Sequence, residues 1–155
     1  MARLGALFRF ILPCHAHLMT KLLLLLSALI GVVVPPSRYA EGQVWAYKAR
    51  PQDTGSLVKI QKIEDGPNGK IYHISLIGIQ IRPGEASVLQ HAPVSQQTLD
   101  NSVTKKMPDP GTFPDATPGI AEWRNAHGGV FTISLAEIAD VLSQAAARQE
   151  QAPIS

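Results

Sequence analysis

Three histidines in the body of this chain, His73, His91 and His127, could bind a metal ion or transfer a proton. A zinc site needs three or four converging nitrogen, sulfur or oxygen ligands, and two of them commonly lie at close helical or hairpin spacing. The sequence contains neither His-x-x-x-His nor His-x-x-Glu-His, so we expect no metal ligand. His73 lies on the polar phase of a predicted strand, which is typical of an exposed residue on a sheet.

Nucleophilic catalysis by a serine finds no support in the sequence. A serine nucleophile needs a base and an orienting group, and no serine here lies in the Gly-x-Ser-x-Gly pattern. Ser95 and Ser134 instead precede helical patterns, where a serine caps the first turn. We therefore predict no catalytic residue.

Glu64 and Asp65 form a carboxylate pair, the other group that could exchange protons. Adjacent strand residues point to opposite faces, and this pair directly precedes a Gly-Pro-Asn-Gly turn, so solvated turn acids are the simpler interpretation. An alternative stays open, namely a small enzyme in which the fold brings His73 or His91 to a carboxylate. One concave pocket holding two of the three histidines with Glu64, Asp65 or Glu85 would favour that enzyme, whereas histidines scattered on separate faces would favour a binding module.

Aromatic side chains offer a candidate contact surface. Trp45 and Trp123 could line a pocket, since tryptophan contributes much of the binding energy at interfaces, although aromatic residues also anchor cores. Arg124 follows Trp123, and this pair is the best sequence candidate for a half-exposed contact. With His73, these residues are the candidate binding site. The sequence thus predicts a non-enzymatic binding module without a cofactor, whose partner is a protein or a small ligand.

Four segments have the composition of strands: residues 43–48, 57–63, 70–82 and a short one at 86–90. In the third segment the apolar phase slips by one residue between Leu76 and Ile77. A two-residue period cannot slip without moving side chains to the other face. We therefore expect a β-bulge or bend near Gly78 and a strongly bent sheet.

Helical patterns follow the strands. Ser95 is the predicted N-cap of a helix that ends near Lys105 and Lys106, and a short helix starts at residues 117–118. The last helix begins with a capping box at Ser134 and Glu137 and continues as an apolar stripe of period 3.6. This order predicts an α+β fold: a three- to four-stranded, strongly bent antiparallel sheet followed by two or three helices packed on it.

Several segments together resemble a family of small bacterial proteins to which no activity is assigned. The segments are GQVWAYK at residues 42–48, YHISLIGI at 72–79 and VFTISLAEI at 130–138. The resemblance also takes in Glu122-Trp123-Arg124 and the Ser-Val-Thr of residues 102–104. It spans most of the body and none of the N-terminal segment, so it implies domain boundaries and no mechanism.

Charge is divided unevenly between the N-terminal segment and the rest of the chain. Residues 1–40 carry four basic side chains and no acid, whereas residues 41–155 carry ten basic and twelve acidic ones. The body therefore lacks the basic excess that nucleic-acid binding requires. The one cysteine, Cys14, lies in the N-terminal segment, so we expect no disulfide within the body.

Residues 22–34, LLLLLSALIGVVV, are uncharged, mostly apolar and preceded by Lys21. This length suits a signal-peptide core better than a membrane span, which needs about 20 residues. The sequence Arg38-Tyr39-Ala40 is a weak cleavage site, because arginine stands where a small residue is expected. Three alternatives stay open: a cleaved signal, an uncleaved anchor, and a mis-annotated start on a cytosolic protein.

The predicted organisation is a signal peptide or membrane anchor at residues 1–40, a small α+β domain at 41–148 and a frayed tail at 149–155. We expect membrane contact only through residues 1–40. The domain is accordingly expected to be periplasmic, secreted or anchored to the inner membrane, or cytoplasmic if translation starts after the leader.

Overall fold

Five antiparallel strands form one sheet in the computed structural model, which describes residues 37–151. The strands are β1 (Val44–Tyr47), β2 (Leu57–Gly66), β3 (Gly69–Arg82), β4 (Glu85–Ser95) and β5 (Val103–Met107). The helices are α1 (Gln96–Ser102), α2 (Thr117–Asn125) and α3 (Leu135–Gln151), with a 3-10 helix at Pro51–Asp53. Most of the predicted leader, with Cys14, and residues 152–155 of the predicted tail lie outside the described residues.

The strand order across the sheet is β4-β3-β2-β1-β5, and each neighbouring pair is antiparallel. The α+β class is confirmed, but the predicted count of three to four strands is wrong, and the sheet is not strongly bent. The register between β3 and β4 shifts at three points. These local irregularities accommodate the slip of the apolar phase between Leu76 and Ile77 without a strong bend of the sheet. One of them lies at Gly78, whose φ of 74° confirms the predicted bulge.

The predicted helix that ends near Lys105 and Lys106 is wrong over its last four residues, 103–106. Helix α1 ends at Ser102, and the chain continues as β5 along the edge of β1, with Val44 opposite Met107. A β-branched residue such as Val103 favours extended backbone, and pairing satisfies the backbone groups of the β1 edge. The order of strands first and helices afterwards is therefore also wrong.

The main core lies between one face of the sheet and helices α1 and α3. Fully buried side chains in it include Tyr72, Ile74, Leu76, Leu99, Leu135 and Ile138. The predicted apolar stripe of the last helix is confirmed, since Leu135 and Ile138 are buried and Leu142 is partly buried against the core. Within residues 37–151, no helix has the length and hydrophobicity that a membrane span needs.

Both predicted helix caps are confirmed. The Thr98 N–H donates to Ser95 Oγ at 3.2 Å at the start of α1. Before α3, the Ser134 N–H donates to Glu137 Oε2 at 2.8 Å, and the Glu137 N–H donates to Ser134 Oγ at 3.3 Å. These bonds occupy N–H groups that the first helical turn leaves without partners.

Tyr39 belongs to the main core although it precedes β1. Its side chain is 2% exposed and makes edge-on contacts with Trp45 and Tyr72, at centroid distances of 5.7 and 5.6 Å. Its hydroxyl donates to Asp100 Oδ1 at 2.7 Å. A residue of the predicted leader therefore helps to hold the folded body together.

A buried ion pair joins the 3-10 helix to β3 and α3. Arg50 donates from Nε and Nη2 to both carboxylate oxygens of Asp53, which is 0% exposed. Arg50 also donates to the Gln80 carbonyl at 2.7 Å and to Asp140 at 3.1 Å, and the Gln80 N–H donates to Asp53 at 2.7 Å. Because these bonds occupy the pair within the fold, we assign it a structural role.

The second face of the sheet is covered too, although no pattern in the sequence predicts this cover. Helix α2 and the preceding loop lie over it, with Ile120 buried and the Gln61 side chain donating to the Pro114 carbonyl at 3.0 Å. His73 and Ser75 point to this face and are 0% exposed. The expectation that His73 is an exposed sheet residue is therefore wrong, because helix α2 and the loop before it bury the face to which the polar residues of β3 point.

Candidate functional site

His73 of β3 and His91 of β4 lie side by side on the second face. The Nδ1 atom of His73 is 2.9 Å from Nε2 of His91, and the rings stack with centroids 5.1 Å apart and 23° between their planes. His91 falls in the register shift between Ile74 and Leu76 of the partner strand. Such irregularities re-aim side chains, and here the shift accompanies the meeting of the two imidazoles.

Glu64 of β2 lies on the other side of His73. Its Oε2 atom is 3.4 Å from His73 Nε2, while Oε1 pairs with Arg124 of α2 and lies 3.4 Å from Lys62 Nζ. The Glu64 side chain is only 21% exposed. The carboxylate is thus shared between one buried imidazole and two cations.

The ring nitrogens of the pair have one arrangement of protons that avoids facing lone pairs. If His91 Nε2–H donates to His73 Nδ1, then His73 carries its proton on Nε2, toward the Glu64 carboxylate. The opposite arrangement would place the Nε2 lone pair against a carboxylate oxygen. The favourable tautomers leave Nδ1 of His91 as the free basic nitrogen.

The Nε2 atom of His73 has no hydrogen-bond partner, alone among the fully buried side-chain nitrogens and oxygens of residues 37–151. Its distance of 3.4 Å from Glu64 is beyond the ordinary hydrogen-bond range. An unsatisfied buried polar atom costs about 1–3 kcal/mol. Such an atom in a native fold is a candidate functional feature.

Burial keeps the two histidines neutral near pH 7. It is the main cause that lowers the pKa of His73, with the positive charge of Lys62 as the second cause. Burial and the neighbouring His73 lower the pKa of His91 to about 4. A neutral imidazole can accept a proton, so the pair can act as a base once a negative charge comes to dominate its surroundings.

Trp123 of α2 packs against His73 and is held in place by close backbone contacts. Its ring meets His73 edge-on at a centroid distance of 5.0 Å, and its Nε1–H donates to the Gly129 carbonyl at 2.9 Å. A Cβ atom at Gly128 would overlap the indole ring. His127, with φ of 50°, and the glycines after it turn the chain back under the indole.

An open groove of about 930 Å³ lies beside this cluster. Its lining comes from the β2–β3 turn, the start of α1 and the end of α2 with the segment that follows. Trp123 and Arg124 form part of its wall, with Lys70 and His127. Among the residues that line it, all within the described part of the chain, there is no acidic side chain.

The structure brings together three of the four predicted site residues. His73, Trp123 and Arg124 belong to one cluster, and Trp123 and Arg124 also line the groove. Trp45 is 8% exposed and belongs to the main core. His91 and Glu64, which were candidates only for the alternative of a small enzyme, complete the cluster. Two glycines, Gly119 and Gly128, pack closely against the cluster, and they are the sequence signal that points to it.

The described residues contain no group of three or more histidine, cysteine, aspartate or glutamate side chains placed to hold a metal ion. Comparison of the chain with protein-family models, with curated proteins and with solved structures gives no match. The resemblance to a family of small bacterial proteins therefore stays a prediction.

Proposed function

We propose that this protein is a non-enzymatic binding module whose binding surface is the groove beside Trp123 and Arg124. The observation that carries the proposal is the position of these two residues on the groove wall. A groove of about 930 Å³ falls in the size range of ligand sites, which is about 300–1,000 Å³. Tryptophan and arginine are the residue types that most often dominate binding energy.

The rigidity of Trp123 supports this role. Its indole is fixed by the hydrogen bond to Gly129 and by contact with His73 and Gly128. A side chain that is already held in one rotamer loses little conformational entropy when a ligand binds. The partner is a small ligand or a segment of a partner protein that enters the groove.

Labelling the full chain, in detergent micelles, with 5-fluorotryptophan tests the proposal. The chain has two tryptophans, so fluorine NMR reports on Trp123 in the groove and on Trp45 in the core. We expect compounds from a fragment library to shift the Trp123 resonance and leave Trp45 in place. Arg124→Gln should weaken this binding, whereas Arg82→Gln, in an exposed ion pair with Glu150, is the matched control. A library in which no compound shifts Trp123 would contradict the proposal.

A small enzyme is the second candidate function, and the contact between His73, His91 and Glu64 favours it. A carboxylate beside a histidine is a common element of general acid–base catalysis. However, neither His73 nor His91 lines the groove, so a bound ligand would not reach the pair directly. Turnover in a broad hydrolase screen that His73→Ala abolishes would establish the enzyme and overturn the binding module.

The predicted leader supports a further proposal, that the module is exported or anchored at the membrane. Fusing residues 1–45 to a reporter that is active only in the periplasm tests it. An active reporter is expected. An inactive one would favour a cytosolic protein whose translation starts after the leader.

A further inference from the structure

We propose that the groove binds a small carboxylate ligand with an apolar group, and that Arg124 exchanges Glu64 for this ligand while the His73–His91 pair takes up one proton. The inference rests on the proposed function, because it names the ligand class and the regulation of the same groove.

The charge of the groove selects an anion. Lys70 and Arg124 are the cations that line it, together with the His127 ring, the indole of Trp123 and the apolar side chains of Ile71 and Val130. Lys70 is paired with Asp65 at 2.6 Å, but both side chains are exposed, at 51% and 86%. An exposed ion pair contributes little, so Lys70 can turn toward a ligand at small cost. A carboxylate with an apolar substituent matches both parts of this lining.

Arg124 belongs to both the groove and the histidine cluster. It lines the groove and pairs with Glu64 Oε1. Its side chain is 46% exposed, whereas the Glu64 side chain is 21% exposed. A guanidinium presents a planar fork that binds carboxylates in a bidentate manner. A ligand carboxylate in the groove therefore competes with Glu64 for the same donor groups.

Loss of Arg124 changes the charges around His73. The charged and titratable groups near it are Glu64 and Lys62 of β2, His91 of β4 and Arg124 of α2. With Arg124 withdrawn, the Glu64 carboxylate retains Lys62 and lies beside the unpartnered Nε2 atom of His73. A nearby negative charge stabilises an imidazolium, so the pair becomes more basic when the ligand binds.

The proton comes from solvent and enters at Nδ1 of His91, the nitrogen that the pair leaves free. The 2.9 Å contact between the rings then allows one proton to pass from His91 Nε2 to His73 Nδ1. The positive charge thereby comes to lie on His73 beside Glu64, and only N–H bonds form or break. By linkage, a site that takes up a proton on binding binds its ligand more tightly as the pH falls.

Titration of the fluorotryptophan-labelled full chain with phenylacetate, and with its neutral analogue phenylacetamide, tests the inference. We expect phenylacetate to shift Trp123, with an affinity about three- to tenfold higher at pH 5.5 than at pH 7.5. His73→Gln and His91→Gln should remove this pH dependence. Arg124→Gln should abolish binding at both pH values, and Arg82→Gln should leave both affinities unchanged.

Calorimetry on the unmodified chain counts the protons without any substitution. Phenylacetate binding in buffers of different ionisation enthalpy should report uptake of a fraction of a proton at pH 6, and zero uptake would overturn the coupling. Equal binding of phenylacetamide would overturn the anionic ligand class. If neither probe shifts the Trp123 resonance while other fragments do, the proposed carboxylate ligand is contradicted, and the proposal that the groove is a binding site is supported. If no fragment shifts it, the proposed function itself fails.

Discussion

The Nδ1 atom of His73 lies 2.9 Å from the Nε2 atom of His91, in a stack that α2 covers from the second face of the sheet. The contact joins β3 to β4 at a point where their register shifts. Both rings are neutral because burial opposes their protonation. The same contact that shapes the candidate site therefore makes the fold sensitive to acid.

Acid should destabilise the protein through this pair. The pKa of His91 is about 4 in the folded chain and about 6.5 in an unfolded one, and the pKa of His73 is also lowered. Between these values the unfolded chain binds more protons, so the free energy of unfolding falls as the pH drops from about 6.5 to about 4. We expect His91 to account for about 1–3 kcal/mol of this loss.

Urea unfolding of the wild type and of His91→Gln at pH 7 and pH 4.5 checks this expectation. The variant should lose less stability on acidification, because glutamine does not titrate. His127→Gln is the control, since His127 is exposed on the segment after α2. Equal pH dependence in the wild type and in His91→Gln would show that the pair is not the acid-sensitive element.

Tyr39 should be required for stability, which bears on how the leader is processed. Tyr39→Ala removes a buried aromatic ring and should cost about 3–5 kcal/mol, whereas Tyr39→Phe loses only the hydrogen bond to Asp100, about 1 kcal/mol. Thermal unfolding measures both. Cleavage after Ala40 would remove this side chain, so we expect a mature N-terminus upstream of Tyr39. Mass spectrometry that finds Glu41 at the N-terminus of a stable product would contradict this.

The buried ion pair of Arg50 and Asp53 should be costly to break from one side. Asp53→Asn leaves the Arg50 guanidinium without its bidentate partner in a site where Arg50 is 7% exposed. We expect a loss of about 3–5 kcal/mol by urea unfolding. Arg82→Gln, which breaks an exposed pair with Glu150, should cost less than about 1 kcal/mol. Similar costs for the two variants would mean that Asp53 is dispensable.

Local sequence patterns predicted the parts of this fold that depend on neighbours in the chain. The Ser95 and Ser134 caps are confirmed because each bonds to a residue three positions away. The bulge at Gly78 is confirmed because the slip of the apolar phase is visible within one strand. β5 was missed because it forms by pairing with Val44, more than fifty residues earlier.

The candidate site was predicted only in part, for a similar physical reason. The polar phase of β3 placed His73 correctly on the face opposite Tyr72 and Ile74, but no local pattern shows that α2 returns to cover that face. The meeting of His73 with His91 and Glu64 joins three strands and depends on the register between them. Trp123 and Arg124 were selected by residue type, and their place on the groove wall follows from the end of α2.

Gly119 in α2 should resist the substitution that usually stabilises a helix. Replacing a helical glycine by alanine ordinarily gains up to about 1 kcal/mol. At this position, however, a Cβ atom would lie 2.6 Å from Cβ of His91, so α2 would have to move away from β4. We expect Gly119→Ala to lose about 1–3 kcal/mol by urea unfolding and to shift the fluorine resonance of Trp123, which α2 also carries.

The matched control for Gly119 is Ala121→Gly at an exposed position of the same helix. This variant should lose up to about 1 kcal/mol of stability from helix propensity alone. Its Trp123 resonance should keep nearly the same chemical shift as in the wild type. The two substitutions change helix propensity in opposite directions, so propensity cannot explain a loss of stability in both. A gain of stability in Gly119→Ala would mean that α2 does not pack on His91. That result would contradict the burial of the histidine pair beneath α2.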